Sequence, residues 1–209
     1  MKKIVVVSAG LGVPSSTRLL ADMLSNAVER ALKEREVEVS IETIELRPLA
    51  HALADNLLTG FPSEELRQAY ASIAAADAVI AVSPVFSASY SGLFKMFFDG
   101  LELGSLDGTP MIVAATAGTA RHSLVLDHAL RPLFSYLHAD VLSTGVFAAS
   151  EDFGNTANGA LDDRIERAAA QLAQRLSGPH QLQPKRQLVE AKFANPTDFT
   201  ELLAAASRG

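Results

Sequence analysis

The segment that decides the fold is DAVIAVSPVFSASYSG, residues 77–92. Its first part, DAVIAVS, is almost wholly apolar, which is typical of a central parallel strand that is covered on both faces. Residues 83–92, which begin with the last residue of that run, contain four serines, one proline and two aromatic residues, whereas a plain turn needs about two to five residues. We therefore predict a buried strand that leads into a loop shaped to hold a flat ligand.

Strand and helix patterns alternate on both sides of this segment. Besides residues 77–83, the β-branched and alternating runs predict strands at residues 2–8, 37–46, 110–116 and 140–148. Apolar residues at helical spacing predict helices at 16–36, from Ser63 onward, at 90–103, at 121–138 and at 161–177. Pro132 is expected to kink or interrupt the helix at 121–138. Residues 47–62 are predicted to be a loop, because they contain three helix breakers.

Five strands that are each followed by a helix predict an α/β domain, a doubly wound five-stranded parallel sheet with helices on both faces. Two strand orders are common at this size, the flavodoxin-like order 2-1-3-4-5 and a Rossmann half. In either order, ligands bind at the carboxyl ends of the strands, so loops 8–17, 83–92 and 115–122 are the candidate site. We predict one domain at 1–179 and a tail at 180–209 that packs on the surface or on a neighbour.

Composition excludes several function classes. The chain has 209 residues, of which 48% are hydrophobic, and a formal net charge of −6, which argues against nucleic-acid binding. It contains no cysteine, which excludes disulfides and thiol catalysis and fits the cytoplasm, the location we expect. We interpret IVVVSAG as a strand and not as an export signal. No apolar run approaches the roughly 20 residues of a membrane span.

The first candidate loop is SAGLGVPSST, residues 8–17. Gly10 and Gly12 fit a dinucleotide fingerprint, but Ser15 stands where the third glycine belongs, and Glu45 comes too late for the ribose-binding acid. The dinucleotide interpretation is therefore weakened.

A second interpretation of this loop is an anion-binding nest. Ser15, Ser16 and Thr17 would place hydroxyl and N–H groups at a helix N-terminus, which suits a phosphomonoester, and Arg18 can add a positive charge. The alternative is that Ser15 or Ser16 only caps the helix and that the glycines only form a turn.

The second and third loops favour a planar ligand. Val85 and Phe86 would offer backbone N–H groups and a flat apolar face, as a heteroaromatic ring with carbonyl edges requires, although aromatic residues in such a loop can also be core residues. In ATAGTARHS, residues 115–123, the small residues let the backbone approach a ligand. His122 is expected to be a solvated residue and not a catalytic base. No catalytic triad, paired carboxylates or histidine cluster is evident, so the chemistry points to a cofactor.

The three loops together resemble the NAD(P)H-dependent FMN reductase family of flavodoxin-like flavoproteins, over about residues 3–178. Ser15, Thr17 and Arg18 match part of the family's first-loop pattern. The second pattern is matched by Pro84, Phe86, Ser89, Ser91, Gly92, Phe94 and Lys95. AGTARHSLVLDHALRPLFSYLHA, residues 117–139, is similar to a segment of the FMN reductases that serve two-component monooxygenases.

This resemblance implies the flavodoxin-like strand order and a role for each candidate residue. The FMN phosphate would be held by Ser8, Ser15, Ser16, Thr17 and Arg18. The ring edge and ribityl chain would be held by Pro84, Val85, Phe86 and Ser89. The pyrimidine side would be lined by Thr116, Ala117, Gly118 and Thr119, and Arg121 and His122 would lie where NADPH or NADH approaches. Two departures stand out: Gly12 replaces the family's early arginine, and Phe86 replaces a tyrosine.

The resemblance further implies hydride transfer from NADPH or NADH to flavin N5, with no catalytic side chain and with reduced FMN supplied to a flavin-dependent monooxygenase. Two alternatives stay open, a quinone or azo-dye reductase with tightly bound FMN and a non-enzymatic electron carrier of flavodoxin type. The apolar helix LFKMFFDG would pair subunits into a homodimer or homotetramer. Alternatively, residues 47–62 or 180–209 cover that helix.

Overall fold

The computed structural model describes residues 1–154 and 159–178, so the predicted tail at 180–209 lies outside the described residues. The strands are β1 (Lys2–Ser8), β2 (Val39–Glu45), β3 (Ala78–Phe86), β4 (Ser89–Tyr90), β5 (Pro110–Ala117), β6 (Asp140–Val141) and β7 (Val146–Ala149). The α-helices are α1 (Ser16–Lys33), α2 (Ala50–Thr59), α3 (Glu64–Ala74), α4 (Gly92–Asp99), α5 (Arg131–Tyr136) and α6 (Ala160–Ser177). No helix in these ranges is long and apolar enough to cross a bilayer.

The strand order is β2-β1-β3-β5-β6, with β7 also paired to β5. All of these pairings are parallel, and of the seven strands in the described ranges only the short β4 runs antiparallel, against the end of β3. Because β6 and β7 extend along the same edge of β5, they form one interrupted strand. The order is then the flavodoxin-like 2-1-3-4-5, as predicted.

The last strand was expected to be continuous over 140–148, and this prediction is wrong. Val141 pairs with Met111 and Val146 pairs with Ala114, so residues 142–145 lie opposite only residues 112–113. The two extra residues cannot join the ladder, and the strand breaks there.

The core has two layers, one on each face of the sheet. Side chains alternate along β1: Ile4 and Val6 pack beneath α1 and α6, whereas Val5 and Val7 pack beneath the helices of the opposite face. Each fully buried aliphatic side chain of this kind contributes about 1.5–3 kcal/mol to folding. This packing makes the sheet a rigid support for the loops at its edge.

Residues 47–62 are not a loop throughout, because α2 occupies most of this segment. The breakers bound the helix instead of preventing it: Pro48 precedes it, Gly60 ends it at φ 78°, and Pro62 follows. Leu53 anchors the helix in the core. The predicted start of the next helix is confirmed, since the Ser63 hydroxyl accepts a hydrogen bond from the Leu66 N–H at 3.3 Å.

Two further boundaries differ from expectation. The strand predicted to turn outward at Pro84 continues through it to Phe86. The pairing with β1 ends at Val82, and Pro84 is in register only with Thr116 of β5, so the ladder on the β1 side needs no N–H from the proline. Residues 121–138 are not one helix: a 3₁₀ turn at Ala120–His122 and a π-helical turn at Leu126–Leu130 precede α5. Pro132 lies in the first turn of α5, where a missing N–H carries no penalty.

Candidate functional site

The three candidate loops lie at one edge of the sheet. Ser8 at the end of β1 is in register with Val82 of β3, and Pro84 is in register with Thr116 of β5. The carboxyl ends of three neighbouring strands therefore form a continuous rim. Ligand sites of open parallel sheets lie at such rims.

The first loop is built around the cap of α1. The Ser15 hydroxyl accepts a hydrogen bond from the Arg18 N–H at 3.2 Å and so caps the helix. A Cβ atom on Gly10 would lie only 2.0 Å from that hydroxyl oxygen, so any larger residue at this position would displace the capping group. Ser16, the first residue of α1, is exposed. The loop thus presents a helix N-terminus toward the rim, where its N–H groups favour an anion.

A buried pair of threonines joins the first loop to the third. The Thr17 and Thr116 hydroxyl oxygens are 2.8 Å apart, and both residues are buried. This hydrogen bond fixes the N-terminus of α1 against the end of β5, across β3. Thr17 therefore contributes to the site through position, and its side chain is directed to Thr116.

Ser8 provides the observation that tests whether the first loop fits a phosphate. The residue is 2% exposed. It lines a cleft of about 630 Å³ together with Gly10, Ser15 and Arg18. A serine hydroxyl can donate a hydrogen bond to a phosphate oxygen, and the N–H groups at the start of α1 favour an anion, so this lining fits a ligand that brings phosphate oxygens to Ser8.

Arg18 lines the same cleft, but two carboxylates hold its guanidinium group. Its Nε donates to Asp22 Oδ1 at 2.8 Å, and its Nη1 donates to Glu45 Oε1. The hydrogen bond to Asp22 is the largest cause that raises the pKa of Arg18, and Glu45 adds to it against the opposing effect of burial. Asp22, Glu45 and Arg47 also line the cleft.

Sequence reasoning missed these two carboxylates as site residues. The spacing of Arg18 and Asp22, four residues apart on a helix, is a detectable ion-pair signal. Glu45 was set aside because its spacing does not fit a dinucleotide motif. The structure places it at the end of β2, directly beside Ser8.

The second loop is a hairpin that β3 and β4 form. Val85 pairs with Tyr90 and Phe86 pairs with Ser89. Ser87 and Ala88 form the two-residue turn, with φ values of 48° and 65°. The return strand is tied down by the Ser91 N–H, which donates to the Ser83 hydroxyl at 2.9 Å.

The two aromatic residues of this hairpin have different environments. Phe86 is 47% exposed and therefore available to contact a ligand. The Tyr90 ring packs against Phe94, with ring centroids 5.8 Å apart. Tyr90 is thus half-buried and packs against the core, which is close to the core role considered for both aromatic residues.

The third loop is open to solvent beyond Thr116. Among the described residues, a Cβ atom on Gly118 would meet no atom within 4 Å apart from those of its two chain neighbours. Arg121 and His122 lie on the exposed 3₁₀ turn that follows. This side of the rim can therefore admit a second molecule.

The predicted site residues fall into three groups by exposure. Those that are buried are Ser8, Thr17, Pro84 and Thr116. The half-buried group comprises Ser15, Arg18, Val85, Ser89 and Ala117. Exposed residues are Ser16, Phe86, Gly118, Thr119, Arg121 and His122.

Comparison with known proteins identifies the family. Residues 2–154 match the model of a family described as NADPH-dependent FMN reductase. The chain belongs to this family. Its members are flavin oxidoreductases, and the prediction of an enzyme that uses FMN and a nicotinamide nucleotide is confirmed.

Individual relatives and a solved structure are described in terms that agree with this family. A Pseudomonas aeruginosa protein named FMN reductase (NADPH) is 38% identical over 182 residues, which cover 86% of this chain and 95% of that protein. The NADH-dependent FMN reductase SfnF of Pseudomonas putida is 38% identical over 167 residues, covering 79% and 88% of the two chains. A crystal structure described as an oxidoreductase from Corynebacterium diphtheriae is 50% identical, with a TM-score of 0.81, and covers 83% of this chain and 96% of its own.

Proposed function

We propose that this FMN reductase treats FMN as an exchangeable substrate and supplies reduced FMN to a flavin-dependent monooxygenase. The observation that supports the proposal is the openness of the rim. Phe86, Gly118, Arg121 and His122 are all exposed, so a flavin bound there would be reached from solvent by both a nicotinamide nucleotide and an exchanging flavin. The relatives named SfnF and SfnE are described as NADH-dependent FMN reductases.

In this proposal the first loop holds the phosphate. The Ser8 hydroxyl would donate a hydrogen bond to a phosphate oxygen. The N–H groups at the start of α1, from Ser16 onward, would complete the anion site. Thr17 would act by its hydrogen bond to Thr116, which keeps the phosphate end and the ring end of the rim at a fixed distance.

The hairpin and the third loop would position the ring. Pro84, Val85, Phe86 and Ser89 would lie against one edge of it, and residues 116–119 would offer backbone groups to the pyrimidine side. When bound, FMN supplies the ring nitrogen that accepts hydride from the nicotinamide. The chain supplies orientation, which contributes up to about 7–11 kcal/mol when reacting groups are held near contact.

Arg121 would bind the nicotinamide nucleotide, because it is a cation on the exposed turn beside the open part of the rim. We expect Arg121→Ala to raise the KM for NADPH and NADH several-fold while the dissociation constant for FMN changes less than twofold, an estimate typical of one solvent-exposed charge contact. Arg35→Ala, two residues beyond the C-terminus of α1, is the matched control. This role would be contradicted if Arg121→Ala weakened the binding of FMN as much as that of NADPH and NADH.

Dialysis decides between exchangeable and tightly bound FMN. The proposal predicts a colourless protein after dialysis that oxidises NADPH or NADH only when FMN is added. A protein that stays yellow and reduces quinones or azo dyes without added FMN would overturn the proposal in favour of the second reductase class. A yellow protein that is inert toward both nucleotides would indicate an electron carrier.

A further inference from the structure

A group of three charged side chains stands at the phosphate end of the rim. We call Arg18, Asp22 and Glu45 the Arg18 cluster. Its members come from the first two turns of α1 and from the end of β2, and the guanidinium group bridges both carboxylates. The cluster therefore depends on the fold and not on one helix alone.

The cluster shares its cleft with the groups proposed to bind phosphate. Ser8, Gly10 and Ser15 line that cleft beside all three members of the cluster. Arg47 lines it too, so two cations face two carboxylates, and the formal charges of these side chains sum to zero. An anion entering the cleft meets a guanidinium group whose charge is already balanced.

These ion pairs contribute little to folding. The side chains of Arg18, Asp22 and Glu45 are 39–46% exposed, and exposed ion pairs of this kind are usually weak. The N-terminus of α1 is capped independently by Ser15. Stabilisation of the fold therefore does not explain why Asp22 and Glu45 hold Arg18 beside the proposed phosphate site.

We propose that Asp22 and Glu45 set the affinity for the flavin phosphate, by withholding Arg18 from it and by repelling it directly. This inference rests on the proposed function, since it concerns the phosphate of an exchangeable FMN. The two carboxylates keep binding weak enough for reduced FMN to leave. They act on the phosphate and not on the ring.

The test compares FMN with riboflavin, which has the same ring and no phosphate. Glu45→Gln and Asp22→Asn each remove one negative charge with little change of shape. Glu34→Gln is the matched control. It makes the same charge change at the C-terminal cap of α1, about 24 Å along the helix axis from Arg18. Dissociation constants are measured by quenching of flavin fluorescence in dialysed protein, at low salt and at about 1 M salt, where the Debye length is about 3 Å.

We expect Glu45→Gln and Asp22→Asn each to bind FMN about three- to tenfold more tightly at low salt, where a tenfold change corresponds to about 1.4 kcal/mol. Binding of riboflavin should not change, the gain for FMN should shrink at high salt, and Glu34→Gln should resemble the wild type. Unchanged or weaker FMN binding in both variants would overturn the inference, and so would equal gains for FMN and riboflavin. If the wild type binds neither flavin, the proposed function itself fails.

Discussion

Gly118 offers the most direct probe of the ring end of the rim. Apart from its two chain neighbours, no described residue has an atom within 4 Å of the position of a Cβ there, and Gly118 is exposed. Gly118→Ala should therefore leave the melting temperature unchanged. If residues 116–119 lie against the flavin, the added methyl group should raise the dissociation constant for FMN about tenfold, about 1.4 kcal/mol, in a fluorescence titration.

Gly178→Ala is the control for this substitution. Gly178 follows α6, whose C-terminus lies at the opposite edge of the sheet from the rim, and a Cβ there would meet the Gln174 carbonyl oxygen at an ordinary 3.4 Å. It should bind FMN as the wild type does. Wild-type affinity in Gly118→Ala would show that the third loop does not approach the ring.

At the scale of the element, the β3–β4 hairpin contains strain that a substitution can release. Ala88 adopts a φ of 65° in its turn, a left-handed conformation that costs a non-glycine residue about 1–2 kcal/mol. Because glycine adopts this conformation freely but loses about 0.5–1 kcal/mol in chain entropy, Ala88→Gly should stabilise the protein by about 0.5 kcal/mol. The melting temperature should rise by about 1–2 °C.

An alanine-to-glycine substitution within a helix should instead destabilise the protein. Ala71 is an exposed residue in the interior of α3, where glycine costs about 1 kcal/mol. Calorimetry of both variants separates backbone strain from a general effect of glycine. A lower melting temperature in Ala88→Gly would mean that the turn is not strained in solution.

Ion pairs at the edge opposite the rim link β1, β2, α3 and β3. Asp77 accepts hydrogen bonds from Lys2 Nζ at 2.9 Å and from the Lys3 N–H at 2.8 Å. Glu42 pairs with Lys3 Nζ at 2.9 Å and accepts from Ser72. Burial raises the pKa of Asp77, but these hydrogen bonds outweigh it, so the pKa is lowered below its usual 3.8. For Glu42, the hydrogen bond from Lys3 is the main cause of a pKa lowered from 4.5.

These lowered pKa values predict a loss of stability in acid. An acid whose pKa is lower in the folded state stabilises the fold above its unfolded pKa, and this contribution disappears as the pH falls through the folded value. Asp77→Asn should therefore have a lower urea midpoint than the wild type at about pH 7, and the difference should narrow as the pH falls below 3.8. Glu29→Gln, an exposed carboxylate on α1, serves as control. A difference that is constant with pH would contradict the assignment.

The sequence was sufficient to predict most elements, because their signals are local. Ser63 caps α3 as predicted, and the apolar run of β3 is central in the sheet. The helix α2 was missed because three breakers surround only ten residues, of which few face the core. The break between β6 and β7 depends on the number of residues opposite it in β5, and no single segment encodes that count.

The candidate site was predictable to the level of its loops but not of its side-chain contacts. Because strands and helices alternate along the chain, three loops are expected at the same end of the sheet, and the spacing of the strands in the sequence is enough to indicate this. The hydrogen bond between Thr17 and Thr116 spans 99 positions of the chain, and the pairing of Arg18 with Glu45 spans 27. Such contacts follow from the strand order, and so a linear pattern does not contain them.

Much of the apolar surface of α4 is covered by other parts of the described chain. Phe94, Phe97 and Phe98 are buried, and α4 packs against α2 and, through Phe94 and Phe98, against Phe134 of α5. The alternative prediction, that residues 47–62 cover α4, is therefore supported in part.

Large apolar side chains nevertheless remain exposed beside α4, at the end of α2. Leu58 is 85% exposed and Phe61 is 81% exposed, and Leu57 adjoins them at 49%. Exposed apolar groups that lie together in this way mark protein interfaces more often than isolated ones do. We propose that this face forms the contact of the expected homodimer or homotetramer.

The double substitution Leu58→Ser and Phe61→Ser tests this assembly. Neither side chain is in the core, so the melting temperature of a monomer should not depend on them, whereas an interface would lose apolar area at about 25 cal/mol per Å². Light scattering coupled to gel filtration should find an oligomer for the wild type and a monomer for the double variant. Tyr136→Ser, which removes another exposed ring (75% exposed) on α5, should stay oligomeric. A wild-type monomer, or an oligomer that survives the double substitution, would show that subunits do not meet through the end of α2, and the apolar residues there would need another partner to account for them.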